Sequence, residues 1–139
     1  MEFNYILSAI VFLPTLGAIV IALGRGLSSR GIKLTAALFT LLAFGLSLST
    51  YGQFNKGAGA PSFQFREIGS WLPPSINSQY HLGVDGLSLP LVALTTFIGI
   101  ISVLVSWKID IRPREYFAWL LVLETGILGV FTSLDLLLF

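Results

Sequence analysis

Residues 5–24, YILSAIVFLPTLGAIVIALG, run for twenty positions without a charged side chain. At 1.5 Å per residue a helix of that length reaches about 30 Å, the thickness of a bilayer's hydrocarbon core. A helix is also the only open-ended structure that satisfies its own backbone hydrogen bonds in lipid. Pro14 and Gly17 lie inside the run. Both are tolerated in membrane helices, where neighbouring helices repair the backbone. A cleaved leader fits poorly, because Glu2 stands where a basic segment is expected and the apolar run is too long. The run is therefore read as a retained span.

The pattern recurs. Residues 34–54 and 86–107 carry no charge, and residues 116–131 carry one, Glu124. Only 11% of the 139 residues are charged and mean hydropathy is +0.86. A soluble domain carries about a quarter of its residues as charges, so this chain is expected to have lipid as its main solvent. The sequence predicts an all-α, multi-pass membrane protein forming one unit over residues 1–139. Its helices fall at about 5–24, 34–54, 86–107 and 115–131, with the start of a fifth at about 133.

The connections differ in character. RGLSSRGIK, residues 25–33, is short, polar and glycine-bearing, which suits a tight loop. KIDIRPRE, residues 108–115, is charged, with Pro113 read as a stop. Residues 55–80 form the longest polar interruption. Within it SFQFREI alternates apolar and polar positions at Phe63, Phe65 and Ile68, which predicts a short β-hairpin-like loop at 61–72. Trp71 and Tyr80 suit the headgroup level, and Pro73 with Pro74 argues against a helix there. Thr40, Gly45, Ser47, Ser49 and Thr50 in the second span suit close contact between helices.

Both short loops hold three basic residues: Arg25, Arg30 and Lys33 in one, Lys108, Arg112 and Arg114 in the other. By the positive-inside rule both face the cytoplasm. The N-terminus and residues 55–80 then lie on the non-cytoplasmic side. Arg112 and Arg114 are read as anchors at that surface, and a pairing of Arg114 with Glu115 as a minor effect.

Other chemistry is excluded by absence of residues. Without cysteine there is no disulfide, thiol nucleophile or thiolate ligand, and one histidine cannot build a multi-histidine metal site. A net charge of +1 with no basic run leaves no footprint for nucleic acid. GAGAP at 57–61 lacks the strand–turn–helix setting of a phosphate loop. No catalytic, cofactor-binding or metal-ligating residue is expected.

Four ionisable residues are candidates for moving protons. Asp85 immediately precedes the third span; it reads as a helix N-cap or as a pathway carboxylate near the outer surface. His81, four residues earlier, reads as a group that can exchange protons or as a structural interfacial group. Glu124 lies about 13 Å beyond Glu115 along a helix, near the bilayer midplane. A carboxyl there must be protonated, paired or facing a wet cavity; the structural reading is an interhelical hydrogen bond, with Thr125 and Gly126 allowing close approach. Asp135 reads as a first-turn acid of a fifth helix, with Thr132 or Ser133 as its N-cap. Were the fourth helix instead to continue, Glu124 and Asp135 would share one stripe, three turns apart.

YHLGVDGLSLPLVALTT, SWKIDIRPREYF and LETGILGVFTSLDLLLF together resemble the M-type antiporter-like subunit of respiratory complex I, which is chain 4 in mitochondria and the D-type subunit in plastid and cyanobacterial complexes. The likeness covers residues 80–139 and falls on Asp85, Gly86, Leu87, Ser88, Trp107, Gly129, Val130, Phe131 and Asp135. It implies a membrane-arm subunit of a proton-translocating NADH (or ferredoxin/NADPH) quinone oxidoreductase, a translocase whose redox chemistry lies elsewhere. NAD(P)H or ferredoxin, iron–sulfur clusters and quinone would belong to other subunits. The partners would be other membrane-arm subunits and the lipid of a bacterial plasma, thylakoid or inner organellar membrane. The family is much longer. Its central glutamate falls a few residues past Phe139 and its membrane lysines further on, so the resemblance implies an N-terminal fragment that does not pump alone. Two other readings remain open: a related subunit of a cation/proton antiporter or membrane-bound hydrogenase, and a small scaffold membrane protein with no transport role.

Overall fold

The structure, a computed structural model, describes residues 5–139. Glu2 lies outside the described residues. Four helices account for most of the chain: α1 (Ile6–Leu23), α2 (Ser29–Gln53), α3 (Ser88–Val105) and α4 (Pro113–Thr132). All four are long and apolar enough to cross a membrane. Between α2 and α3 lies a two-stranded antiparallel sheet of β1 (Gln64–Gly69) and β2 (Tyr80–Val84).

The helices form a bundle in which α1 packs on α2 and α4, α2 on α3 and α4, and α3 on α4. Its outside is apolar: Phe12, Leu16, Leu38, Leu41, Phe97 and Leu123 are exposed. Its inside holds Thr40, Ser47, Thr50, Thr96 and Thr132 buried. Each of these five hydroxyls donates to a carbonyl one turn back in its own helix. That distribution inverts the usual soluble pattern and suits a bundle solvated by hydrocarbon. α1 and α2 approach closely at Gly17, where a Cβ would lie 2.8 Å from Cγ of Phe39. Gly45 and Gly126, by contrast, have nothing within 4 Å of that position, and neither serves as a contact point.

Several boundaries differ from expectation. α2 begins at Ser29 rather than 34, because the Ser28 hydroxyl accepts the Gly31 N–H at 3.1 Å and caps the helix. The polar residues of the supposed loop thus form the first turns of a helix. Pro113 opens α4 instead of ending a segment; its missing N–H is no loss at a first helical position. Arg112 before it takes a left-handed conformation. α3 runs from Ser88, and a short 3₁₀ turn at Ser106–Lys108 extends it. Pro74–Ile76 forms another 3₁₀ turn, with proline again in first place.

The hairpin-like loop predicted at 61–72 is corrected by its pairing. β1 does not fold back within that range; its partner is β2, with Glu67 opposite Leu82 and Ile68 opposite His81. The YHLGV segment, which precedes the third span, is a strand because Leu82 and Val84 pack against the bundle. A bulge between Gln64 and Glu67, with Phe65 at φ 54°, turns the strand over. The buried residue is therefore Glu67, while Ile68 is 58% exposed. Tyr80 likewise turns inward; burial pushes its hydroxyl above the usual phenol range, partly offset by a hydrogen bond with Ser8.

No fifth helix is assigned over 133–139. Ser133 leaves helical geometry at ψ 130°, and Leu134 donates its N–H to the His81 carbonyl at 2.8 Å. Ser133 also bridges to Leu82. The remaining residues make a single turn, closed by the Phe139 N–H on the Asp135 carbonyl. The alternative in which α4 continues, aligning Glu124 with Asp135, is excluded by the same break at Ser133.

Candidate functional site

Two apolar clusters occupy the two ends of the bundle. One gathers Leu7, Ile10, Val84, Leu89, Val92 and Leu128; the other gathers Ile21, Ile32, Ala36, Val103, Phe117 and Leu121. Each helix also carries polar or small residues in its middle turns. Thr15 in α1, Ser47 in α2, Thr96 and Gly99 in α3, and Glu124 and Thr125 in α4 form this middle layer. Thr15 donates to Thr125 at 2.8 Å, joining α1 to α4, and Ser47 meets Thr96 at 3.0 Å, joining α2 to α3.

Glu124 is the ionisable group of that layer. It is 6% exposed, and its Oε1 has no hydrogen-bond partner among the described residues. The interhelical bond expected of it is made one position later, by Thr125. Glu124 points instead across α3 at Gly99, where a Cβ would lie 2.6 Å from Oε1. Glycine at that position is what lets a carboxyl fit between the helices. Beside it opens a cavity of about 320 Å³, lined mostly by leucine and isoleucine. The ionised carboxyl requires donors that these side chains do not supply.

The other three candidates lie outside the bundle, at the end that carries the sheet. Asp85 is a cap: its Oδ1 accepts the N–H groups of Leu87 and Ser88 at 3.0 and 2.6 Å, while the Ser88 hydroxyl accepts the Asp85 N–H. This reciprocal pair is a capping box in which serine takes the glutamate's place. The Ser88 N–H, foremost, holds the Asp85 carboxyl below the usual range. His81 sits on β2, its Nε2 facing the Arg66 guanidinium at 3.2 Å. Asp135 is the N-cap of the last turn rather than a first-turn acid behind Thr132 or Ser133. Its Oδ1 accepts from Leu137 N–H and from the Ser78 hydroxyl, and its Oδ2 from Gln79 N–H. The Gln79 N–H is the main cause that lowers its pKa, followed by the Ser78 hydroxyl. The structure thus brings Asp135 and His81 to one end of the molecule and leaves Glu124 alone in the middle.

Two sites escaped the sequence reading. Glu67, from β1, caps α1: its carboxylate accepts the Leu7 N–H at 2.6 Å, the Ser8 N–H at 3.1 Å and the Ser8 hydroxyl. The signal for it was indirect. Tyr5 cannot cap a helix and the first turn of α1 holds no acid, so the free N–H groups had to be met from elsewhere. At the opposite end Lys33 reaches Asp110 at 2.7 Å with its own side chain only 7% exposed. The Lys33 ammonium holds the Asp110 carboxyl below the usual range, helped by the Ser29 hydroxyl. Arg114 donates to the Gly24 carbonyl at 2.8 Å, and Glu115 pairs with Arg112 at 3.5 Å, not with Arg114. The Lys33–Asp110 and Arg114–Gly24 contacts tie the two basic loops to one another.

No protein-family model matches the chain. It is 38% identical over 138 residues to NADH-quinone oxidoreductase subunit M of Rhodobacter capsulatus, covering 96% of this chain and 26% of that protein. It is 37% identical over 139 residues to NADH-ubiquinone oxidoreductase chain 4 of Arabidopsis thaliana, covering 99% and 28%. It is 34% identical over 133 residues to NAD(P)H-quinone oxidoreductase chain 4 3 of a Picosynechococcus species, covering 96% and 24%. The chain spans about a quarter of the length of these curated relatives.

Proposed function

We propose that this chain, homologous over nearly all its length to about a quarter of subunit M (chain 4) of NADH-quinone oxidoreductases, forms part of the membrane arm of a proton-translocating complex of that kind. The observation that carries the reading is the likeness itself, 38% identity sustained over 138 residues. The fold is in keeping with it: four apolar helices with polar side chains turned inward and a carboxyl in the middle layer. In this reading electron transfer belongs to other subunits. NAD(P)H or ferredoxin, iron–sulfur clusters and quinone would be held there, since a cysteine-free chain offers no thiolate to a cluster. Glu124, Asp135, Asp85 and His81 are the ionisable groups through which this portion would contribute to proton movement. Asp85 and Asp135 also have evident structural work. Glu124 has none, and it is the strongest of the four.

The test is comigration. Carried on an affinity tag in its host membrane, the chain should run in native gels with a large assembly that oxidises NAD(P)H or reduced ferredoxin. Migration as a small species free of such activity would refute the assignment.

The sheet end and the basic-loop end are proposed to face opposite sides of the membrane, with the basic loops on the cytoplasmic side. A chain without cysteine makes this directly measurable. A cysteine at Ser62 should react with a membrane-impermeant maleimide applied from the non-cytoplasmic side. One at Gly26 should react from that side only after permeabilisation. The opposite labelling would invert the topology.

A further inference from the structure

We propose that the recess between α3 and α4 beside Glu124 is a water-binding site in the membrane interior, where water links the Glu124 carboxyl to the hydroxyls of Thr95 and Ser102 and exchanges protons with it. The inference stands on the surroundings of Glu124 and holds whichever assembly the chain serves.

Thr95, Gly99 and Ser102 are spaced by four and three residues, so they share one face of α3. All three line the recess, and so does Glu124, its sole ionisable residue among those described. Both hydroxyl protons are already committed: Thr95 donates to the Leu91 carbonyl at 2.7 Å and Ser102 to the Ile98 carbonyl at 2.8 Å. Their oxygens therefore present only lone pairs to the recess. The carboxyl needs a donor when ionised and an acceptor when protonated. Water is the ligand that serves a carboxyl in both states and can also donate to two hydroxyl oxygens. A buried water requires two to four polar partners, and each occupies about 30 Å³. The recess supplies the partners and, at about 320 Å³, room for several molecules.

The recess opens sideways between the helices, past Leu94, Ile98 and Leu123, which are 51%, 50% and 60% exposed. In each exchange a carboxyl O–H bond breaks as a water O–H bond forms, giving carboxylate and hydronium. The reverse step restores both.

The experiment is infrared spectroscopy of the purified chain in phosphatidylcholine nanodiscs, moved from H₂O to D₂O. A protonated-carboxyl band should be present, vanish in Glu124→Gln, and shift promptly in the wild type on transfer. The double variant Thr95→Val, Ser102→Ala should slow that shift by about tenfold, as expected from losing one or two ordinary hydrogen bonds. Gly99→Leu, which fills the recess, should slow it at least as much. The two perturbations act through different atoms, so either can decide the matter if the other fails to insert. A missing wild-type band would overturn the proposal. So would a band that never shifts, marking a dry carboxyl held by another helix, or a shift untouched by both variants.

Discussion

Glu67→Ala should lower the stability of the bundle by about 3 kcal/mol. The carboxylate of Glu67 is 3% exposed and accepts two consecutive backbone N–H groups at the start of α1 together with the Ser8 hydroxyl. Removing a helix cap costs about 1 kcal/mol, and hydrogen bonds to a charged acceptor contribute about 1.5–3 kcal/mol. Alanine removes the acceptor and leaves both N–H groups facing the apolar cluster around Leu7 and Val84. In detergent, helical circular dichroism should report a fall in Tm of roughly 10 °C. Glu67→Gln, which keeps one acceptor oxygen, should lose less. Ile68→Ala, next door but exposed, should stay within about 0.5 kcal/mol of wild type. Equal Tm values for Glu67→Ala and Ile68→Ala would show that the contact contributes nothing.

Asp135→Asn should loosen two segments at once. Asp135 holds Ser78 and Gln79 on one side and its own last turn on the other. Amide exchange at pH 7 should therefore quicken both around residues 78–82 and across 134–139. Loosening confined to 134–139 would mean that the carboxylate serves only as a local cap. The pH dependence follows from the direction of its shift. Because the folded-state pKa is depressed, the stabilisation is complete above the ordinary aspartate value of about 3.9. It is lost only as pH falls through the lower folded value. The wild type should thus come to resemble Asp135→Asn under acid, and not at neutral pH. If the chain belongs to a proton-translocating subunit, the same substitution in the full-length protein should lower translocation more than a replacement of Glu2. Unchanged pumping in an assembled complex would reject a pathway role for Asp135.

The spans were legible because a bilayer imposes a length and a composition that few other constraints override. Charge-free runs at 5–24, 34–54 and 86–107 led directly to α1, α2 and α3. The errors arose where a local pattern met a distant partner. Phe63 and Phe65 alternate as a strand should, yet a bulge puts Glu67 inside instead, and that bulge serves a helix sixty residues away. YHLGV lacks a turn signal linking it to SFQFREI, because ten residues of Pro- and Ser-containing chain separate the two strands. The serine cap of α2 was present in the sequence but masked by the basic residues around it. At the candidate site, the isolation of Glu124 in an apolar run was visible at once. Its neighbour Gly99 was not, since nothing in a sequence says which turn of α3 faces which turn of α4. Asp135 was expected in the first turn of a fifth helix; it caps a single turn instead, and its hold on Ser78 depends on how the sheet folds over the bundle.

The Glu67 contact also sets an order of events. The group that completes the first turn of α1 is made sixty residues after it. At ordinary synthesis rates that interval is roughly 3–12 s. Throughout it the first turn of α1 lacks its side-chain acceptor, which comes only with the polar segment after α2. The first turn of α1 is thus closed only where the segment after α2 returns to the end of the bundle at which α1 begins.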